Sequence, residues 1–243
     1  MMMVFEKQRA MQVHQQENDL FAHHGKVRGR RLIGLMGGSF NPAHDGHRSI
    51  SLFAKKALGL SEIWWMVSPG NPLKADSKDM APLAARMVSA KAKAKNTPIK
   101  ATFIEQTMGT RYTKDTLRAI RLRYPRHDFV WLMGADNLKN FHAWRQWREI
   151  ARQMPIAVIT RPGYNGDAMT SPAMAWFARF VRPRSQSFFW TQWSTPALVI
   201  LRFRPDPRSA TAIRRTNPHW HKPYASSIVR DDVTHKILLG GRG

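Results

Sequence analysis

The stretch Gly37-Gly38-Ser39-Phe40-Asn41-Pro42-Ala43-His44-Asp45-Gly46-His47 joins a short apolar run, residues 32–36, to an amphipathic one, residues 47–58. In the second run Ile50, Phe53, Ala54, Ala57 and Leu58 recur at i, i+3, i+4, i+7 and i+8, which is one face of a helix. Glycine after a strand opens backbone angles closed to other residues and lets a ligand approach main-chain amides. His44 and His47 sit three apart around the helix start, on one face, beside amide groups and the positive end of the helix dipole. That arrangement suits phosphate. Taken singly, a glycine pair reads as a turn and two histidines as a surface or metal pair; their coincidence at one strand-loop-helix junction favours the phosphate reading. No G-x-x-x-x-G-K-[ST] occurs anywhere, so this is not a conventional P-loop.

The same alternation continues outward. Residues 63–67, 99–103, 129–133, 156–160 and 198–201 read as strands, residues 82–95 and 113–124 as helices, with Leu117, Ile120 and Tyr124 inward, and a last helix is expected near Ser209. Continuous apolar strands between amphipathic helices predict an α/β fold, a Rossmann-like doubly wound parallel sheet in a single domain. Ligands then bind beyond the carboxyl ends of the strands, so the loops after Met36, Val67, Phe103, Met133 and Thr160 share one rim.

Length allows one well-buried domain among the 243 residues, and 43% hydrophobic content supplies its core. Residues 1–30 are polar and aperiodic and are expected as a flexible extension, residues 31–216 as the domain, and residues 217–243 as a basic C-terminal tail. The absence of cysteine removes disulfides, thiolate metal sites and cysteine nucleophiles, and fits a cytoplasmic protein. No apolar run approaches the roughly 18 residues of a membrane helix. The 39 Lys and Arg against 16 Asp and Glu give a formal charge of +23, which attracts polyanions. These basic residues are spread along the chain without an arginine-rich block, which disfavours a direct nucleic-acid function. Nothing in the sequence sets an oligomeric state.

The run 38–47 resembles the G-S-F-x-P-x-H-x-G-H signature of the HxGH nucleotidylyltransferase superfamily. Class I aminoacyl-tRNA synthetases carry a similar histidine motif, but neither a K-M-S-K-S-like loop nor a tRNA-binding extension is found here. Ser209-Ala210-Thr211-Ala212-Ile213-Arg214 resembles the superfamily's second signature, I-S-S-T-x-I-R, with Arg208 in place of the Ile and Ala210 of the second Ser. Three further segments resemble bacterial nicotinate mononucleotide adenylyltransferases: residues 111–117, residues 134–138 followed by 141–147, and residues 161–164. Together these matches run from about residue 31 to residue 215.

The resemblance implies transfer of AMP from ATP to a mononucleotide, without a protein nucleophile. His47, His44 and Arg214 are the implied catalytic residues. Gly37, Gly38, Ser39, Phe40, Lys74, Gly134, Asp136, Ser209 and Thr211 are implied on the ATP side, Asp136 as an acceptor for ribose hydroxyls. Tyr112, Thr113, Trp144 and Arg161 are implied on the side of nicotinate mononucleotide: Trp144 as a stacking face, the Tyr112-Thr113 helix start for the nicotinate carboxylate, Arg161 for the phosphate. Mg²⁺ is expected to arrive on the ATP phosphates, and no protein metal site is expected. Two alternatives stay open at this stage. One is a different acceptor, nicotinamide mononucleotide or phosphopantetheine; the other is a non-catalytic nucleic-acid-binding protein, which the charge keeps in play.

Overall fold

The computed structural model describes residues 30–70, 80–160, 166–203 and 210–240. The expected N-terminal extension therefore lies outside the described residues, apart from Arg30. Among the described residues, seven strands form one sheet: β1 (Leu32–Gly38), β2 (Glu62–Val67), β3 (Ile99–Thr102), β4 (Asp128–Gly134), β5 (Ile156–Thr160), β6 (Val181–Arg182) and β7 (Leu198–Arg202). Their order is β3-β2-β1-β4-β5-β7-β6, and every pairing is parallel. The connecting helices are α1 (Asp45–Leu58), α2 (Leu83–Ala94), α3 (Ile104–Thr107), α4 (Thr113–Arg123), α5 (Ala135–Asn140), α6 (Trp147–Gln153), α7 (Gly166–Met169), α8 (Pro172–Phe177) and α9 (Ala210–Thr216).

Two apolar clusters lie on the two faces of the sheet, as a doubly wound fold requires. On one face Ile50, Ala54 and Leu58 of α1 and Met87 and Ala90 of α2 pack with Ile63, Trp65 and Val67. On the other, Leu117 and Ile120 of α4, Leu138 of α5 and Ile150 of α6 cover Ile33, Leu35, Trp64 and Trp131. The strand period of two sends neighbouring Trp64 and Trp65 to opposite clusters. Helix α1 ends where Gly59 takes the left-handed conformation, φ 63°, and returns its N–H to the Lys55 carbonyl.

The chain winds outward from β1 in both directions, so the order reverses between β1 and β4. At such a reversal the loops leaving the two strands diverge and open a crevice beyond their carboxyl ends. The first loop leaves β1 there, and α5 starts there from the end of β4. Among the described residues no helix is long and apolar enough to cross a membrane.

The basic segment after residue 216 carries structure of its own. It belongs to the same unit as residues 31–216. Within it β8 (Ile228–Arg230) and β9 (Ile237–Leu239) form an antiparallel pair. Between them Asp231 is fully buried and its carboxylate accepts four hydrogen bonds: from Thr102 Oγ1 and Phe103 N at 2.8 Å each, and from Val233 N and Thr234 N at 2.8 Å each. Asp232 accepts from Ala101 N at 3.0 Å and pairs with Lys91. Composition hid this docking because two carboxylates accomplish it within a run of basic residues.

Candidate active site

The first loop owes its shape to packing as well as to glycine. Both Gly37 and Gly38 still belong to β1. A Cβ on Gly37 would lie 2.8 Å from Cη2 of Trp131, which lies over it from β4. Phe40 has φ 46°, a left-handed conformation that costs a non-glycine residue about 1 kcal/mol or more. Its ring, 1% exposed, offsets that strain by stacking on Trp65, centroids 5.0 Å apart. Phe40 is thus a core residue.

His44 caps α1 from an extended conformation, and His47 lies in the first turn. Their rings are 3.9 Å apart, and the His44 amide donates to Nδ1 of His47 at 3.2 Å. With Nδ1 an acceptor, the neutral ring carries its proton on Nε2, which makes that nitrogen a donor. Ser89 Oγ holds the Ala43 amide at 2.9 Å, and Asn41 Oδ1 takes the Ala81 amide at 3.3 Å. The loop is therefore tied to α2 and to the segment that leads into it.

The second signature arrives at the same loop. Arg214, on α9, donates through Nη1 to the Asn41 carbonyl at 2.6 Å, and its Nη2 lies 3.5 Å from Thr211 Oγ1. Residues 173 positions apart in sequence are joined by that bond. Gly134 ends β4 and caps α5, and Asp136 is exposed in the first turn of α5, at the crevice.

A second group gathers beside β4. Trp144 is half-buried, its ring edge-on to Phe141 at 5.3 Å and to Trp131 at 6.5 Å. Tyr112 caps α4 and Thr113 begins it. Arg145 lays its guanidinium over the Tyr112 ring at 4.6 Å, which brings the Trp144 segment and the start of α4 together. Lys74, Arg161 and Ser209 lie outside the described residues. A groove of about 930 Å³ opens at the other end of the sheet, by Asp128 and Pro155, and holds none of the candidate residues.

Glu105 lies in α3, beyond the carboxyl end of β3, and burial pushes its carboxyl up to about 7. A raised carboxyl favours the protonated fold, so the stability it contributes at low pH is lost as pH climbs from the ordinary value of 4.5 to about 7. Glu105→Gln is accordingly expected to stabilise the protein by about 2 kcal/mol at pH 8, with the gain shrinking toward pH 4.5. Thermal melts at the two pH values check this, and an equal gain at both would refute it.

Sequence reasoning missed Arg86, Trp131 and Arg145. Arg86 had left a sign: it falls four residues before Ala90 and eight before Ala94, on the buried stripe of α2, where a cation is out of place.

A family model described as cytidylyltransferase-like matches residues 35–216. The chain is 58% identical to an Erythrobacter litoralis protein named "probable nicotinate-nucleotide adenylyltransferase", over 86% of this chain and 95% of that one. A Bradyrhizobium protein of the same name is 44% identical over 77% of this chain and 97% of its own length. The fold is similar to that of Plasmodium falciparum nicotinic acid mononucleotide adenylyltransferase complexed with APC, with TM-score 0.54 and 15% identity over 76% of this chain and 83% of that one. The same enzyme complexed with NaAD gives 0.53 and 16% over the same shares. With its first loop at the reversal of a doubly wound sheet and its second signature bonded to that loop, the chain belongs to the cytidylyltransferase-like family and, within it, to the nicotinate-nucleotide adenylyltransferases.

Proposed function

We propose that the protein transfers the adenylyl group of ATP to nicotinate mononucleotide, giving nicotinate adenine dinucleotide and pyrophosphate, as a step of NAD biosynthesis in the cytoplasm. The observation that carries this reading is the 2.6 Å bond from Arg214 to the Asn41 carbonyl, which unites the two signatures at the crevice. A 5'-phosphate oxygen of the mononucleotide attacks the α-phosphorus in line, the new P–O bond forms, and the bond to the β-phosphate oxygen breaks. The attacking oxygen is already ionised, so positioning and charge neutralisation replace a strong base. His47, with Nε2 as donor, and His44 stabilise charge growing on the α- and β-phosphates. Arg214 holds the departing pyrophosphate, with Lys74, Ser209 and Thr211 assisting. The backbone of Gly37, Gly38, Ser39 and Phe40 lines the polyphosphate path, and Gly134 and Asp136 receive the adenosine ribose.

Among the described residues no group of three or more His, Asp or Glu side chains stands ready to hold a metal ion. Mg²⁺ carried by ATP is held by phosphates and water, needs no such group, and supplies charge neutralisation when bound. On the acceptor side Trp144 stacks on the pyridine ring, the Tyr112-Thr113 start of α4 faces its carboxylate, and Arg161 meets its phosphate. The half-buried Trp144 and the cation over Tyr112 support an aromatic, anionic guest.

Pyrophosphate release from ATP and Mg²⁺ tests the reading: it is expected with nicotinate mononucleotide and to be much slower with the amide. No release with either would sink it, and equal rates would remove the acid-specific site. Trp144→Ala is expected to raise KM for the mononucleotide by about 10-fold or more while moving KM for ATP little, since a stacked ring contributes about 1–3 kcal/mol. An effect confined to ATP would reassign the residue.

A further inference from the structure

Arg86 is a cation buried under the first loop, and among the described residues no carboxylate answers it. It is 1% exposed, and among the described residues its guanidinium donates only to main-chain carbonyls: Nε to Ala81 at 2.8 Å, Nη1 to Ser39 at 2.9 Å and to Ser68 at 2.6 Å, and Nη2 to Pro69 at 3.2 Å. These carbonyls belong to the first loop, to the turn after β2 and to the approach to α2. Burial lowers the guanidinium only to about 10, so the charge persists at neutral pH. A buried charge ordinarily finds a counter-charge or costs the fold heavily. Among the described residues Arg86 makes no salt bridge.

The bond to Ser39 has a geometric consequence for the next residue. In a trans peptide the carbonyl and the following N–H point in opposite directions. Holding the Ser39 carbonyl turns the Phe40 N–H away from the guanidinium, and among the described residues that amide makes no hydrogen bond. Phe40 is the residue of the loop in the left-handed conformation, where successive amides form a concave donor set for anions.

We propose that Arg86 is a positioning residue for the triphosphate of ATP: it fixes the Ser39-Phe40 peptide so that the Phe40 amide faces the phosphates, and it places beneath the loop the positive charge that they balance. This rests on the adenylyl-transfer reading above. The fork matters as much as the charge, because one planar guanidinium reaches three backbone segments at once and a lysine ammonium cannot.

The test compares Arg86→Gln and Arg86→Lys in the full chain, with KM for each substrate, kcat and the melting temperature measured for both. Arg86→Gln is expected to raise KM for ATP at least 10-fold while leaving KM for the mononucleotide within about twofold. Arg86→Lys is expected to recover part of the loss at a similar melting temperature. Unchanged ATP affinity in a folded Gln variant overturns the proposal, as does an equal loss for both substrates that tracks the melting temperature. A second measurement needs no variant: in the wild-type protein the Phe40 amide resonance is expected to shift, and its hydrogen exchange to slow at least 10-fold, on adding inorganic triphosphate. An unmoved Phe40 amide also overturns it. Pyrophosphate release by the wild-type enzyme reports on the reaction itself, so failure of the Arg86 role and failure of the reaction are told apart.

Discussion

His47→Ala is expected to lower kcat by about 10² to 10³-fold, the usual cost of deleting one donor that acts on the transition state, with KM for both substrates within a few-fold. Nδ1 of His47 already takes the His44 amide, so the ring is fixed as a donor at Nε2 before any substrate arrives. A donor that needs no reorganisation is strongest where charge develops, which puts the loss in kcat. The same substitution removes an acceptor at the start of α1 and should cost about 1 kcal/mol of stability. His47→Asn separates the two effects, because its carbonyl oxygen can take the His44 amide while Nε2 is gone. Its melting temperature is expected near wild type and its turnover near that of the alanine variant. Near-normal turnover in either folded variant would take His47 out of the reaction.

Asp231→Ala is expected to destabilise the protein by about 3–5 kcal/mol and to lower Tm by roughly 6–15 °C. The carboxylate is fully buried and gathers four donors from two parts of the chain. Its removal leaves the Phe103, Val233 and Thr234 amides and the Thr102 hydroxyl without that acceptor, and buried donors without partners cost more than the bonds themselves contribute. Asp231→Asn keeps one acceptor oxygen but turns an amide NH₂ toward donors, and should fall between. Urea titration measures both; a loss under about 1 kcal/mol for the alanine would mean that residues 228–239 are not held by this carboxylate.

The fold and the main loop were legible because their determinants are local. Helix α1 shows its apolar stripe, the strands are continuous apolar runs, and the first loop carries its glycines and histidines within eleven consecutive positions. Helix boundaries near residues 45–47 differ because His44 caps the helix with its main chain, and composition does not mark that. The two-residue β6 and the short helices α5 to α8 are too brief to show a period. The signature implies Phe40 on the ATP side without saying where its ring goes, and packing on Trp65 takes that ring into the core. Arg145 over Tyr112 and the Asp231 contacts join residues far apart in the chain, and no local pattern encodes such meetings.

Strand β3 ends the sheet, and its outer side would ordinarily be a template on which another molecule could add a strand. Its outward amides at Ile99 and Ala101, and that of Phe103 just beyond it, are instead taken by Thr97 Oγ1, an Asp232 oxygen and an Asp231 oxygen. Side-chain oxygens stop a hydrogen-bond ladder where a carbonyl-bearing strand would extend it. The C-terminal segment thereby covers this edge at Ala101 and Phe103, and a chain ending at residue 216 would leave those two amides without these acceptors.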